Sequence, residues 1–314
     1  MSENIGLGPG REFDVIRELV RRWGPTARGI GDDAAVLDVP PGSRLVVSTD
    51  ASVENVHFRS AWLTPEQIGF RATVAALSDL AAMAAAPIGI LVALTVPHEW
   101  QQHLVAIADG IGEAARTHDA PISGGNLARG SELSLTITAL GHSVQPIGRN
   151  GAHAGDHVYV TGTLGGPERA VLALEQHQAP TPEQRARFVR PSARIREALW
   201  LAAHGITAAI DISDGLMADA GHVASASGVD LCLELDALPV MPGVSPMDAA
   251  NGGEEYELLV TSSVPLDEHA FAHEFGVPIT RVGVAQPAEA TPRARLRAHG
   301  AFVDLPAGHD HFSR

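Results

Sequence analysis

Hydrophobic residues along this 314-residue chain alternate between helical and strand spacing. Over residues 12–23, Phe13, Ile16, Leu19 and Val20 fall three or four apart with Arg and Glu between them. That is the spacing of one apolar helix face, and Gly24-Pro25 closes it. Residues 34–39 and 45–49 read as two strands around a Pro40-Pro41-Gly42 turn, a hairpin that would bring Asp33 and Asp50 together. Thr64-Pro65-Glu66-Gln67 opens a second helix, with Thr as N-cap, Pro at its first position and Gln completing a capping box. An alanine-rich run carries it to Met83. Residues 88–96 form an apolar strand stopped by Pro97, and 100–118 a helix. Residues 122–126 read as a glycine turn after a short strand, and 134–139 as a strand alternating Ser or Thr with Leu or Ile.

A boundary is expected near residues 151–155, dividing 1–150 from 151–314. Beyond it helices (168–175, 192–204, 216–226, 265–275) alternate with strands (155–160, 208–212, 231–235, 258–261, 279–284). Residues 178–183 and 243–248 read as surface connections. The pattern is that of an α/β protein of the α+β type.

The polar positions carry the chemistry. In Gly29-Ile30-Gly31-Asp32-Asp33 two glycines allow a tight turn beside adjacent carboxylates. Ser48-Thr49-Asp50, Ser78-Asp79 and Asp211-Ile212-Ser213-Asp214-Gly215 repeat the theme of a small hydroxyl next to an Asp beside an apolar run. Asp79 lies mid-helix among Ala, Leu and Val, an expensive place for a carboxylate unless Arg or a metal pairs with it. Oxygen donors of this kind suit a hard cation, and Mg²⁺ takes one or two carboxylates plus phosphate oxygens. These segments are expected to converge on one metal–phosphate centre. Asn251-Gly252-Gly253-Glu254 repeats the opening logic of glycines ahead of carboxylates. Residues 161–166 could present N–H groups to a phosphate or serve as a plain loop. His309-Asp310-His311 lacks the further Cys or His that zinc would require.

Composition narrows the choice. A formal net charge of −15 argues against nucleic acid or an anionic membrane as the main partner. The chain has no lysine, which excludes a P-loop Lys, a Schiff-base Lys and a Ser–Lys dyad. Phosphate charge must then be met by metal, Arg and backbone N–H groups. The single cysteine, Cys232, sits in an apolar run and reads as a buried strand position in a reducing compartment. The start of the chain has no basic segment followed by an apolar one, and the longest apolar stretch, around 88–96, is too short to span a bilayer. A soluble, cytoplasmic protein is expected.

Taken in order, these motifs resemble those of the thiamine-monophosphate kinases, in the aminoimidazole-ribonucleotide-synthetase-like superfamily. Those that carry the resemblance are Gly29-Ile-Gly-Asp-Asp-Ala34, Ser48-Thr-Asp50, Asn55-Val-His-Phe58, Leu77-Ser-Asp-Leu-Ala-Ala-Met83, Gly124-Gly125, Gly148-Arg149, Asp211-Ile-Ser-Asp-Gly-Leu216, Gly252-Gly-Glu-Glu-Tyr-Glu-Leu258 and Asp310-His-Phe312. The resemblance implies an N-terminal α/β domain whose sheet forms a barrel with that of a second subunit, a homodimer, and a C-terminal α/β domain with an antiparallel sheet. It implies transfer of the γ-phosphoryl group of MgATP to thiamine monophosphate, without a covalent phosphoenzyme or a catalytic base. By the same resemblance Asp33, Ser48, Thr49, Asp50, Asp79, Asp211 and Asp214 match metal-binding positions. Gly125, Arg149 and Ser213 match nucleotide contacts, with Gly124 and Asn126 at the same glycine motif, and His57 and Glu254 match thiamine-phosphate contacts, with His309 at a further substrate position.

Two positions depart from the family. Asn126 stands where an Asp is usual, and His309 where an aromatic residue is usual. Two alternatives stay beside the kinase: a related ATP-dependent kinase or synthetase with another small phosphorylated substrate, and a protein that holds nucleotide or thiamine phosphate without turnover.

Overall fold

The structure, a computed structural model, describes residues 4–7 and 9–303. Its strands pair into two separate sheets, one in each of two units. The first unit comprises the chain up to Leu80 with Ala85–Gln145; the second comprises Ala81–Ala84 with the chain from Pro146.

In the first unit, α1 (Arg11–Trp23) precedes β1 (Arg44–Val53), α2 (Pro65–Ala82), β2 (Ala86–Val96), α3 (Leu104–Thr117), β3 (Ile122–Arg129) and β4 (Ser134–Ser143). The sheet order is β1-β4-β2-β3, antiparallel except for β2 with β3. It is an open sheet with β1 and β3 at its edges, and no barrel closes among the described residues. One face buries Ile90, Val92, Leu94, Leu135, Ile137 and Ala139. α2 is buried almost all round, as expected of a helix apolar on every side. It begins at the predicted capping box, with Thr64 and Gln67 exchanging side-chain and main-chain hydrogen bonds of 3.1 and 3.3 Å. α2 and α3 meet backbone to backbone. A Cβ on Gly110 would lie 1.9 Å from the Glu66 carbonyl oxygen, and one on Gly69 2.1 Å from that of Ile107.

Three expectations for this unit fail. Residues 34–39 form no strand, and Val36 is 83% exposed. β1 pairs instead with β4 along its whole length, from Arg44↔Ser143 to Val53↔Ser134. No hairpin therefore joins Asp33 to Asp50. Residues 122–126 are not a turn: β3 runs through both glycines, because β2 supplies a parallel ladder to them. The helix expected from residue 100 opens as a 3₁₀ turn, His98–His103, ahead of α3.

The second unit holds β5 (His157–Thr161), α4 (Gly166–Glu175), α5 (Pro182–Val189), α6 (Ile195–Ala203), β6 (Ile206–Asp211), α7 (Leu216–Ser227), β7 (Val229–Glu234), α8 (Pro246–Asn251), β8 (Leu258–Ser262), α9 (Glu268–Phe275), β9 (Ile279–Pro287), β10 (Ala294–Ala298) and β11 (Ala301–Val303). Its seven strands lie in the order β11-β10-β7-β9-β5-β8-β6. All pairs are antiparallel except β10 with β7, so the sheet is mixed. The core joins Val158, Val160, Ile210, Leu233, Leu259 and Val282 to Leu216 and Val223 of α7. Residues 178–181 and 243–245 are connections as expected, but α5 and α8 begin inside the segments read that way, at Pro182 and Pro246. Each starts at a hydroxyl N-cap, Thr181 and Ser245, followed by Pro. Cys232 is buried, and its thiol donates to Gln286 Oε1 at 3.3 Å.

Candidate functional site

Strand alternation sorts the first unit's polar residues. Ser48 and Asp50 pair with buried Ala139 and Ile137, so both share the face that α2 covers. There the Ser48 hydroxyl donates to the Asp79 carboxylate of α2. Of the positions expected to converge on one centre, Ser48, Asp50 and Asp79 thus share one face, while Asp33 and Thr49 lie off it. Thr49 points the opposite way, its hydroxyl 3.1 Å from that of Thr138.

That opposite face borders a cleft of about 900 Å³. Leu91, Ala93, Thr136 and Thr138 line it, together with residues 29–33, α1 side chains, Gly124, Gly125 and Asn126. Asp33 and the glycine pair are therefore neighbours across this cleft, whose lining does not include Ser48, Asp50 or Asp79. The Asp33 turn is held from outside. Ile5 N–H donates to the Ile30 carbonyl at 2.8 Å, and Ile30 N–H to Asn4 Oδ1 at 3.0 Å. Gly31 lets the chain pass there, since a Cβ would lie 2.5 Å from the Ile5 carbonyl oxygen.

His57 follows β1 and is exposed. Its Nδ1 accepts the Val53 N–H at 3.1 Å, so in the neutral ring the proton sits on Nε2. Buried Phe58 and the 2.9 Å bond from Trp100 Nε1 to Glu54 anchor the segment on either side.

In the second unit, β6 ends at buried Asp211, and Ser213, Asp214 and Gly215 turn the chain into α7. Asp219, one turn into that helix, accepts the N–H groups of Ser213 and Asp214 on one carboxylate oxygen at 3.0 and 3.1 Å. Burial, and then the charge of Asp211, push the Asp219 carboxyl up to about 7. The turn packs on the 251–254 segment. A Cβ on Gly215, at φ +113°, would meet the Asn251 carbonyl oxygen at 2.4 Å, and one on Gly253 that of Ser213 at 2.6 Å. Glu254 N–H donates to the Ser213 carbonyl at 2.8 Å. Asp211, Ser213, Asp214 and Glu254 are thus built into one structure. Arg149 is exposed, and its carbonyl accepts the Ser227 hydroxyl of α7 at 2.8 Å.

Residues 161–166 are a plain loop. The N–H groups of Gly162 and Leu164 bond to the Pro278 and Pro239 carbonyls, and that of Gly165 to the Glu255 carboxylate. His309 and His311 lie outside the described residues. The sequence reading missed Asp219 and His222, whose donor atoms lie with those of Asp214 within 4.8 Å of one another. Their i, i+3 spacing on a helix was a usable signal. It also missed the buried ion network around Glu257, which joins Arg187 and Arg194 from distant segments.

The donor chemistry fits Mg²⁺. Every position expected to bind metal offers a hard oxygen, and Asp219, raised by burial first and then by the charge of Asp211, adds a carboxyl group beside Asp211 and Asp214.

Residues 31–143 match the N-terminal domain family of AIR synthase related proteins, and residues 153–291 match its C-terminal domain family. The thiamine-monophosphate kinase of Rhodopirellula baltica is 36% identical over 289 residues, covering 85% of this chain and 86% of that protein. The crystal structure of the thiamine-monophosphate kinase from Stenotrophomonas maltophilia matches with a TM-score of 0.80 and 31% identity, over 96% of this chain and 99% of that one. AaThiL complexed with AMPPCP and TMP matches with a TM-score of 0.76 and 27% identity over 96% of each. Identity of this extent across both domains shows that the chain belongs to the thiamine-monophosphate kinase family.

Proposed function

We infer that this chain transfers the γ-phosphoryl group of ATP to thiamine monophosphate, giving thiamine diphosphate and ADP. The observation that carries this is the junction in the second unit. There the Ser213–Asp214 turn, of phosphate- and cation-binding chemistry, is hydrogen-bonded to the segment bearing Glu254, on the acceptor side. The likeness to a relative complexed with AMPPCP and TMP supports it. In the transfer a new P–O bond forms from an acceptor phosphate oxygen as the bond to the β-phosphate oxygen breaks. The acceptor is already an anion, so no side chain has to remove a proton, and positioning and charge neutralisation remain.

Asp33, Ser48, Asp50 and Asp79, and in the second unit Asp211 and Asp214, would hold Mg²⁺. Thr49 would share in this although its hydroxyl is engaged with Thr138. Bound there, Mg²⁺ would neutralise phosphate charge. Gly124, Gly125, Asn126, Arg149 and Ser213 would contact the nucleotide. Gly125 is fixed as glycine by the neighbouring strand, since a Cβ there would lie 1.9 Å from the Val92 carbonyl oxygen of β2. His57, through its Nε2 proton, and Glu254 would orient the acceptor, with His309 beside them. The N-terminal domain, 1–150, would also dimerise through its sheet, completing a barrel with a second copy. A lone buried thiol suits a cytoplasmic enzyme.

A second reading, nucleotide binding without turnover, is favoured by one observation: the uncharged amide of Asn126 in the cleft. ATP consumption coupled to thiamine monophosphate in excess Mg²⁺ decides between them. Formation of thiamine diphosphate supports the kinase. Tight binding of both ligands without product removes it. Turnover only with other phosphorylated acceptors assigns the chain to a related activity.

A further inference from the structure

The segment bearing Glu254 is strained. Glu254 and Tyr256 adopt φ of +59° and +52°, a region that residues with side chains avoid. Such a conformation persists only where its surroundings over-determine it. Main-chain bonds supply one constraint: Glu254 and Tyr256 donate to the Ser213 and Ile212 carbonyls at 2.8 and 2.9 Å, and Ile212 donates back to Glu257 at 2.8 Å. The second constraint is buried. Glu257, fully enclosed, accepts from Arg194 Nε and a terminal nitrogen at 2.7 and 2.6 Å, from Thr161 at 2.7 Å and from Arg187 at 2.7 Å. The same Arg187 nitrogen lies 3.3 Å from the Glu255 carbonyl oxygen. Arg187 therefore joins the buried carboxylate to the main chain between the two strained residues.

We infer that Arg187 is a positioning residue for the acceptor side of the site. With the Arg194–Glu257 pair it fixes the main-chain conformation that aims Glu254 at the accepting phosphate ester. This rests on the kinase reading for what Glu254 touches, but not for the positioning itself. The nucleotide side has its own anchor, because Asp219 holds the Ser213 and Asp214 N–H groups independently. Loss of Arg187 is therefore felt by the acceptor more than by the nucleotide.

The test uses the full chain and the variants Arg187→Ala and Arg187→Lys. Glu257 keeps Arg194 and Thr161 in both, so its carboxylate stays paired and the fold is retained. Arg187→Ala should raise the KM for thiamine monophosphate about tenfold and that for ATP less than about threefold. Hydrogen exchange at the Glu254 and Tyr256 amides should accelerate. Arg187→Lys, which keeps the charge but not the planar guanidinium that holds the nitrogen between the two oxygens, should fall between the alanine variant and the native chain. Unchanged exchange, or the two KM values rising together with a falling melting temperature, overturns the inference. Should the native chain not turn over thiamine monophosphate, the kinase reading fails by itself, and the exchange rates alone decide the positioning.

Discussion

Asn126 is a neutral amide on β3 where the family resemblance implies a carboxylate, and it lines the same cleft as Asp33. An Asp there would add a negative charge beside Asp32 and Asp33, raising the affinity for a divalent cation and nothing else so directly. Asn126→Asp is expected to lower the Mg²⁺ concentration for half-maximal turnover several-fold. An unchanged Mg²⁺ dependence would place Asn126 away from any bound ion. Glu255 illustrates burial acting on a single carboxyl group. Its enclosure outweighs the nearby Arg187 charge and lifts it from 4.5 to about 8. The folded chain then keeps a proton that the unfolded chain releases, so this stabilising contribution is complete below about pH 4.5 and disappears as the pH rises through about 8. Glu257 behaves in the opposite sense. Burial raises it, but Arg194 and then Arg187 outweigh burial and hold it below the usual range. Its contribution is present above the ordinary carboxylate value and is lost on acidification. Glu255→Gln keeps an acceptor for Gly165 and cannot ionise. Its urea midpoint should fall less than that of the native chain between about pH 6 and pH 8.

At the level of elements, what could be read in advance was what is decided locally. The start of α2 was legible because Thr64 and Gln67 satisfy each other's backbone within one turn. Thr181 and Gln184 make the same capping box, yet the polar composition around them concealed α5. Residues 34–39 show the converse: apolar content suggested a strand, yet they run without a ladder even though β1, paired with β4 on one side, leaves its other edge open. The site divided in the same way. The Asp211–Ser213–Asp214 turn was visible because its polar residues are adjacent, whereas Glu257 finds Arg194 63 positions away and no local pattern announces the pairing. The α2–α3 crossing is another long-range feature, resting on two glycines with no room for a methyl group. Gly110→Ala should force the helices apart and destabilise the fold by about 1–3 kcal/mol, the usual penalty for overpacking. Chemical denaturation would show it as a lower midpoint. An unaltered midpoint would mean that the crossing yields without cost.

For the whole molecule, the open face of the first sheet bears on assembly. With a net charge of −15, two copies repel at long range, so a neutral surface is where they meet at the least electrostatic cost. The face opposite Ser48 and Asp50 is neutral in its central rows, with Leu45, Val47, Thr49 and Ala51 of β1, Thr136 and Thr138 of β4, and Leu91 and Ala93 of β2. Leu45 and Val47 remain 51% and 54% exposed, a continuous apolar edge that a second copy would cover. Leu91, Ala93, Thr136 and Thr138 also line the cleft of Asp33 and Asn126, so assembly through this face would close one side of that cleft. Leu45→Glu together with Val47→Glu removes little from the core, because both side chains are half in solvent. It places like charges opposite one another in any symmetric pairing through this face. Light scattering should give a dimer mass for the native chain and a monomer mass for the double variant, with an unchanged circular dichroism spectrum. Because the cleft would lose one wall, ATP affinity should fall in the same variant. A native chain that is monomeric, or a double variant that stays dimeric, would assign this face another role.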